Sequence, residues 1–232
     1  PTAHYFMGGV VCNKDTSTAL AGLFVAGEDA GGVHGANRLG GNGVANSTVF
    51  GGIAGDTMAE FAAREAHWRS IDDAVVEHEI ARAQHPFRKP PGDLNALRER
   101  LLDLMWDDVG VIRDASGLDR ALKGLDTIEG ALAATGLPDR DRAFNLTWHD
   151  WLNLSSLIEI SKVITRAALA RENSRGAHFR EDFPDAGDLA SSTYTLARQI
   201  GDGGLEITNP PVAFSIVRPG ESILRDAPEA AE

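Results

Sequence analysis

The chain has 232 residues, 43% of them hydrophobic, and a formal net charge of −12. That length and apolar content describe one large or two small folded domains rather than a disordered chain, and the negative charge argues against a nucleic-acid-binding surface, which needs basic groups against phosphate. Cys12 is the single cysteine, so no disulfide and no cysteine-built zinc or iron–sulfur site forms within the chain.

No apolar run is long enough to span a bilayer, and no signal peptide is visible. The expectation is a cytoplasmic setting without a direct membrane span. The sequence opens on Pro1 inside an ordered-looking segment, which reads as a piece of a longer polypeptide.

Residues 1–65 combine glycine and alanine with short apolar runs at 5–11 and 20–26, an α/β character. Residues 23–26 read as a short buried strand. The loop G-E-D-A-G-G-V-H-G-A-N-R-L-G-G-N follows over residues 27–42, and a helix from Val44 to about Ala66 carries Val49, Phe50, Ile53, Met58 and Phe61. Strand, glycine-rich turn and helix bring backbone N–H groups close to a phosphate or another anion. The glycines do not form a clean G-x-G-x-x-G, so a nicotinamide site is not announced.

Residues 66–190 are read as helical. Leu94, Leu97, Leu101, Leu104, Met105, Val109 and Ile112 make one stripe at three- and four-residue spacing. Leu118, Leu122, Leu125, Ile128 and Leu132 make a second, and Trp151, Leu154, Leu157, Ile158, Val163 and Ile164 a third. Asp93 or Gly92 caps the first helix, and Gly136-Leu137-Pro138 closes the second. Short connections favour an antiparallel bundle of about three helices. In residues 191–232, positions 199–204 read as a turn and 205–208 and 212–217 as two strands around Asn209-Pro210-Pro211. The acidic stretch from Asp226 reads as a frayed tail.

Several positions suit chemistry. Glu28, at the end of the predicted strand, can accept hydrogen bonds from cofactor hydroxyls, or be a solvated loop acid. The helix after Asn42 can turn its N–H groups and positive dipole end toward an anion, or be capped by solvent. Arg38 offers a planar fork for a carboxylate, and His4 a tunable donor; their sequence separation leaves their meeting open. Residues 174–182, S-R-G-A-H-F-R-E-D, either serve a site or dock two domains through ion pairs, the docking reading being preferred. His67, His78, His85 and His149 lack the paired spacing of a zinc site.

The segment P-T-A-H-Y-F-M-G-G over residues 1–9, then G-L-F-V-A-G-E over 22–28, H-G-A-N-R-L-G-G-N over 34–42 and the 174–182 segment, resembles the flavoprotein subunit of succinate dehydrogenase and fumarate reductase. L-aspartate oxidase shares much of the pattern. The resemblance implies α/β plus α: the C-terminal portion of a split FAD-binding α/β domain in residues 1–65, an antiparallel helical bundle, then a short C-terminal β segment. It implies FAD as cofactor and interconversion of succinate and fumarate by hydride exchange with flavin N5. His4 and Arg38 match the residues that bind the substrate carboxylates. Glu28 matches the acid on the flavin ribityl chain, and Asn42, Gly43 and Val44 fall where loop and helix approach the flavin. The family usually has Ser-Leu in place of Gly43-Val44, so a serine hydroxyl contact is lost while a backbone contact survives. The first dinucleotide-binding motif, any flavin-linking histidine and the proton-delivering arginine are expected upstream, in a missing N-terminal half, which leaves no catalytic acid or base in this chain. The implied partners are a small dicarboxylate and an iron–sulfur electron-transfer subunit, through which membrane association would arise. The competing expectations are an L-aspartate oxidase and, for the isolated chain, a non-catalytic fragment.

Overall fold

A computed structural model describes residues 4–65, 70–201 and 203–222. Residues 1–3, 66–69, 202 and 223–232 lie outside them, and with these the start of the His4 segment, His67, the predicted helix end at Ala66 and the acidic tail. The chain divides into two compact units, Pro1–Asp73 and Ala74–Glu232.

In the first unit, α1 (Asn42–Arg64) is the regular element. It begins two residues before the predicted start, because Gly41 adopts φ +85° and turns the chain directly into the helix. Its apolar residues divide unevenly: Ala54 is buried, whereas Val49 and Met58 are 56% and 45% exposed. The strand expected at 23–26 is reduced to one antiparallel bridge, Ser17 with Phe24. The Val25 N–H donates to the Thr16 carbonyl at 3.0 Å, and no further strand lies alongside among the described residues, so a ladder does not propagate. A second single bridge, parallel, joins Val10 to Ala30.

In the second unit, α2 (Asp73–Gln84) leads from the unit boundary into a bundle of α3 (Leu94–Val109), α4 (Ala115–Ala134) and α5 (Leu146–Ala170). Each bundle helix starts on a side-chain cap, which satisfies an N–H that has no intrahelical acceptor. Asp93 accepts from the Ala96 N–H, Asp114 from Gly117 and Asn145 from Trp148. Beside a smaller cluster of Val109, Leu118, Ala121 and Ala168, the three apolar stripes meet in a main core of Leu94, Leu97, Leu101, Leu125, Ile128, Leu132, Leu137, Trp151, Leu154 and Ile158. Ile112 does not belong to it: α3 ends at Val109, and Ile112 is 59% exposed in the following loop. Leu157 also points out, at 44% exposure. Trp151 donates its indole N–H to the Thr135 carbonyl at 3.0 Å, capping the end of α4 while its ring fills the core. Gly136 does not end α4 through a left-handed turn. It is needed because a Cβ would overlap the Lys89 carbonyl where residues 89–91 pass against it, and its N–H donates to the Pro90 carbonyl at 2.7 Å.

The C-terminal β segment keeps the strand expected at 205–208 but pairs it with a partner N-terminal to it, so that positions 199 and 200, expected in a turn, lie in a strand. Its strands are β1 (Leu196–Ile200) and β2 (Gly204–Thr208), antiparallel, with Leu196 opposite Thr208 and Ile200 opposite Gly204. Residues 212–217 form no strand. Pro210 and Pro211 have no N–H to extend a ladder, and the Val212 N–H is taken by the Ser192 carbonyl. No helix among the described residues is long and apolar enough to cross a membrane.

Candidate functional site

The first unit brings the N-terminal segment, the glycine-rich loop and the start of α1 together. The Val10 N–H donates to the Asp29 carbonyl at 2.8 Å, and the Gly31 N–H to the Val10 carbonyl at 3.0 Å. This approach requires Gly9, whose φ is +143° and whose Cβ would overlap the Asp29 carbonyl. Gly27–Asp29 forms a single 3-10 turn. That turn presents Glu28 to the opposite segment, where one carboxylate oxygen accepts the Phe6 N–H at 2.6 Å. The other oxygen is free among the described residues to accept from a hydroxyl.

The start of α1 carries Asn42, Gly43 and Val44. No side chain caps it, so its first N–H groups and dipole end suit an electron-rich ligand. Val44 is 78% exposed. A Cβ at Gly43 would come within 2.8 Å of the Tyr5 ring. The glycine that departs from the Ser-Leu pattern is therefore what the present position of Tyr5 requires.

Arg38 and His4, 34 positions apart, meet: Arg38 Nη2 lies 2.7 Å from His4 Nδ1. A guanidinium only donates, so Nδ1 is the acceptor and the His4 ring proton sits on Nε2. Arg38 Nη1 donates to the Leu39 carbonyl at 3.1 Å. One hydrogen remains on each Nη, a fork matched to a carboxylate. Among the described residues no carboxylate pairs with Arg38, and its buried Nε has no partner.

Three further residues complete this arrangement, none of them singled out from the sequence. Arg38 lies over the Tyr5 ring, 4.6 Å from its centre, in cation–π contact. His34 meets the same ring edge-on, 5.3 Å between centres. Asn46, buried in α1, reaches Tyr5, His34 and the Gly27 carbonyl together. The signal for Asn46 was faint: a polar residue one helical turn after Asn42, on the side that folds against the loop.

Residues 174–182 close within the second unit. Arg180, 1% exposed, donates to the Ala168 and Leu169 carbonyls at the end of α5 and grips Asp182 with two bonds of 2.7 and 2.6 Å. Asp182 also accepts the Ala115 N–H at the start of α4. The Arg180 pair, together with hydrogen bonding to Ala115, holds the Asp182 carboxyl down at about 2. His178 accepts from Arg113 at Nδ1, 2.8 Å, and faces the Arg171 carbonyl with Nε2, 3.2 Å. Burial, then the charges of Arg171, Arg113 and Arg180, push its pKa down to about 4, against the opposing pull of the Arg171 carbonyl. Within the second unit these bonds form a clasp between the start of α4 and the end of α5, where the polar groups of the helix ends supply the partners.

The sequence matches the family profile for the fumarate reductase flavoprotein C-term over residues 98–223 and that for an FAD binding domain over residues 1–44. It is 42% identical over 191 residues to an uncharacterized FAD-dependent oxidoreductase of Methanocaldococcus jannaschii, covering 80% of this chain and 33% of that protein. It is 40% identical over 187 residues to one of the subunits of the fumarate reductase (CoM/CoB) of Methanothermobacter marburgensis, with the same coverage of 80% and 33%. Among solved structures, Mycobacterium smegmatis Sdh1 in complex with UQ1 superposes with a TM-score of 0.82 at 32% identity, over 90% of this chain and 35% of that one. The chain thus spans about a third of the length of these relatives.

Proposed function

The chain belongs to the fumarate reductase and succinate dehydrogenase flavoprotein family, whose members are FAD-dependent oxidoreductases, and on that premise we propose that it supplies the dicarboxylate clamp and part of the flavin seat of an enzyme interconverting succinate and fumarate. The observation that carries this reading is the 2.7 Å contact of Arg38 with His4 on the loop that also bears Glu28.

The residues fit the cofactor. Glu28 keeps one carboxylate oxygen for a ribityl hydroxyl, and the uncapped start of α1 at Asn42, Gly43 and Val44 offers N–H groups to the electron-rich edge of a flavin. When bound, FAD supplies hydride exchange with a substrate carbon. The chain's own residues bind and orient. Arg38 takes a substrate carboxylate through its remaining fork hydrogens, and His4 donates from Nε2 to the dicarboxylate. Their fixed position holds the substrate for reaction instead of leaving alignment to diffusion. The hydrogen bond between them orients the imidazole without consuming the donor that faces substrate.

We assign residues 1–65 to the FAD-binding domain, 66–190 to the helical domain and 191–232 to a β segment and tail; the FAD-binding match at 1–44 supports the first of these. An electron-transfer partner fits a relative whose own name makes it one component of a multi-subunit fumarate reductase; an iron–sulfur protein is the proposed class, and membrane association would come through it. The test uses the complete flavoprotein that carries this chain. Succinate should reduce an artificial dye, and fumarate should oxidise a reduced one. Failure in both directions with flavin bound would refute the proposal.

A further inference from the structure

Asn46 links the two halves of this site. It is 4% exposed. Its amide nitrogen lies 3.0 Å from the Gly27 carbonyl, 3.2 Å from the Tyr5 hydroxyl and 3.2 Å from His34 Nε2. The Gly27 carbonyl can only accept, which fixes the orientation of the amide. Gly27 opens the turn that carries Glu28. Tyr5 in turn lies beneath the Arg38 guanidinium and is flanked by the His34 ring. One buried side chain in α1 therefore touches both the turn assigned to flavin and the ring that supports the carboxylate-binding arginine.

We propose that Asn46 is a positioning residue for dicarboxylate recognition, holding Arg38 through Tyr5 and registering it against the Glu28 turn. The inference rests on the function proposed above. The side chain of Arg38 is otherwise held by His4 and by the neighbouring Leu39 carbonyl. A planar fork binds a carboxylate by two bonds only when its plane is set. Without Asn46 the Tyr5 hydroxyl loses a partner, the ring gains rotamer freedom, and the support under the guanidinium loosens. Such a change weakens ground-state and transition-state binding alike, so KM rises while kcat holds.

The test compares Asn46→Ala, Tyr5→Phe and their double variant in the flavin-loaded complete protein. Malonate serves as probe, because its single CH2 between two carboxylates leaves no neighbouring carbon pair to dehydrogenate. The expected result is a rise of about tenfold in the malonate Kd, read from the flavin absorbance change, with kcat altered less than about threefold. Tyr5→Phe should reproduce most of this rise, and the double variant should add little. An Asn46→Ala protein whose flavin-loaded fraction binds malonate as the wild type does, with only flavin content or melting temperature lowered, overturns the inference. Should Asn46→Ala fail to fold, Tyr5→Phe decides alone, and an unchanged malonate Kd overturns it. A wild-type flavin indifferent to dicarboxylates overturns the proposed function and this inference together, which separates the two failures.

Discussion

Acidification should weaken the second unit through His178. The residue is 8% exposed, and its neutral form is fully bonded, accepting from Arg113 and facing the Arg171 carbonyl. Its pKa falls from 6.5 to about 4 on folding, first because of burial. Between these values the unfolded chain binds a proton that the folded chain refuses. Stability from this group is therefore complete above pH 6.5, falls as pH drops toward 4, and levels off below. At about 1.4 kcal/mol per pH unit the full span is worth about 3 kcal/mol, and residual water access with local relaxation reduces that to about 2 kcal/mol. Carboxylates also begin to titrate near pH 4, so the comparison must be with a variant. His178→Gln retains a side-chain donor and acceptor but does not titrate. Urea unfolding of both proteins, followed by tryptophan fluorescence from pH 7 to pH 4, isolates the effect. The wild type should lose about 2 kcal/mol more than the variant over that range. Identical pH profiles, or a wild type that gains stability on acidification, would refute the argument.

Other expectations concern packing and the clasp. Gly130→Ala in α4, where a Cβ meets nothing within 4 Å, should stabilise by about 0.5–1 kcal/mol in the same urea assay. Gly136→Ala should destabilise by about 3 kcal/mol, since the obstructing atoms belong to the backbone of Lys89 and Pro86 and cannot swing aside. Arg180→Lys should cost roughly 3 kcal/mol, because an ammonium cannot reach both Asp182 oxygens and the α5 carbonyls at once; an unchanged melting midpoint would contradict the clasp. The Asp182 carboxyl, held near 2 by Arg180, contributes stability that is present above its ordinary value of 3.8 and is lost as pH falls toward 2. Asp182→Asn should flatten that part of the acid-unfolding curve.

The helical unit was the more legible part in sequence. Leucines at three- and four-residue spacing define faces that only a helix makes continuous, and Asp93 announced its cap through local chemistry alone. Strand β1 was not legible, because L-A-R-Q-I has neither alternation nor β-branched weight, and its pairing is set by the glycine turn beside it. At the site, Glu28 and Arg38 stood out as charges in a glycine-rich loop, and the family resemblance supplied His4. Their geometry depends on the Val10–Ala30 bridge, a long-range pairing without a local signature. Asn46, Tyr5 and His34 each look ordinary in isolation. Their meaning comes from burial and mutual contact, which sequence spacing does not report. The 174–182 segment showed its charges but not their destinations, because helix-end carbonyls and N–H groups are acceptors and donors in every sequence.

The central claim is that Arg38 and His4 clamp a dicarboxylate beside the flavin, and the most direct measurement is the malonate Kd of the flavin-loaded complete protein with Arg38 and with Arg38→Lys. Lysine keeps the charge but loses the fork, removing one charge-assisted hydrogen bond of about 2 kcal/mol. The account predicts a Kd weakened about 30-fold at unchanged flavin content. Equal malonate affinity in the two proteins would contradict it.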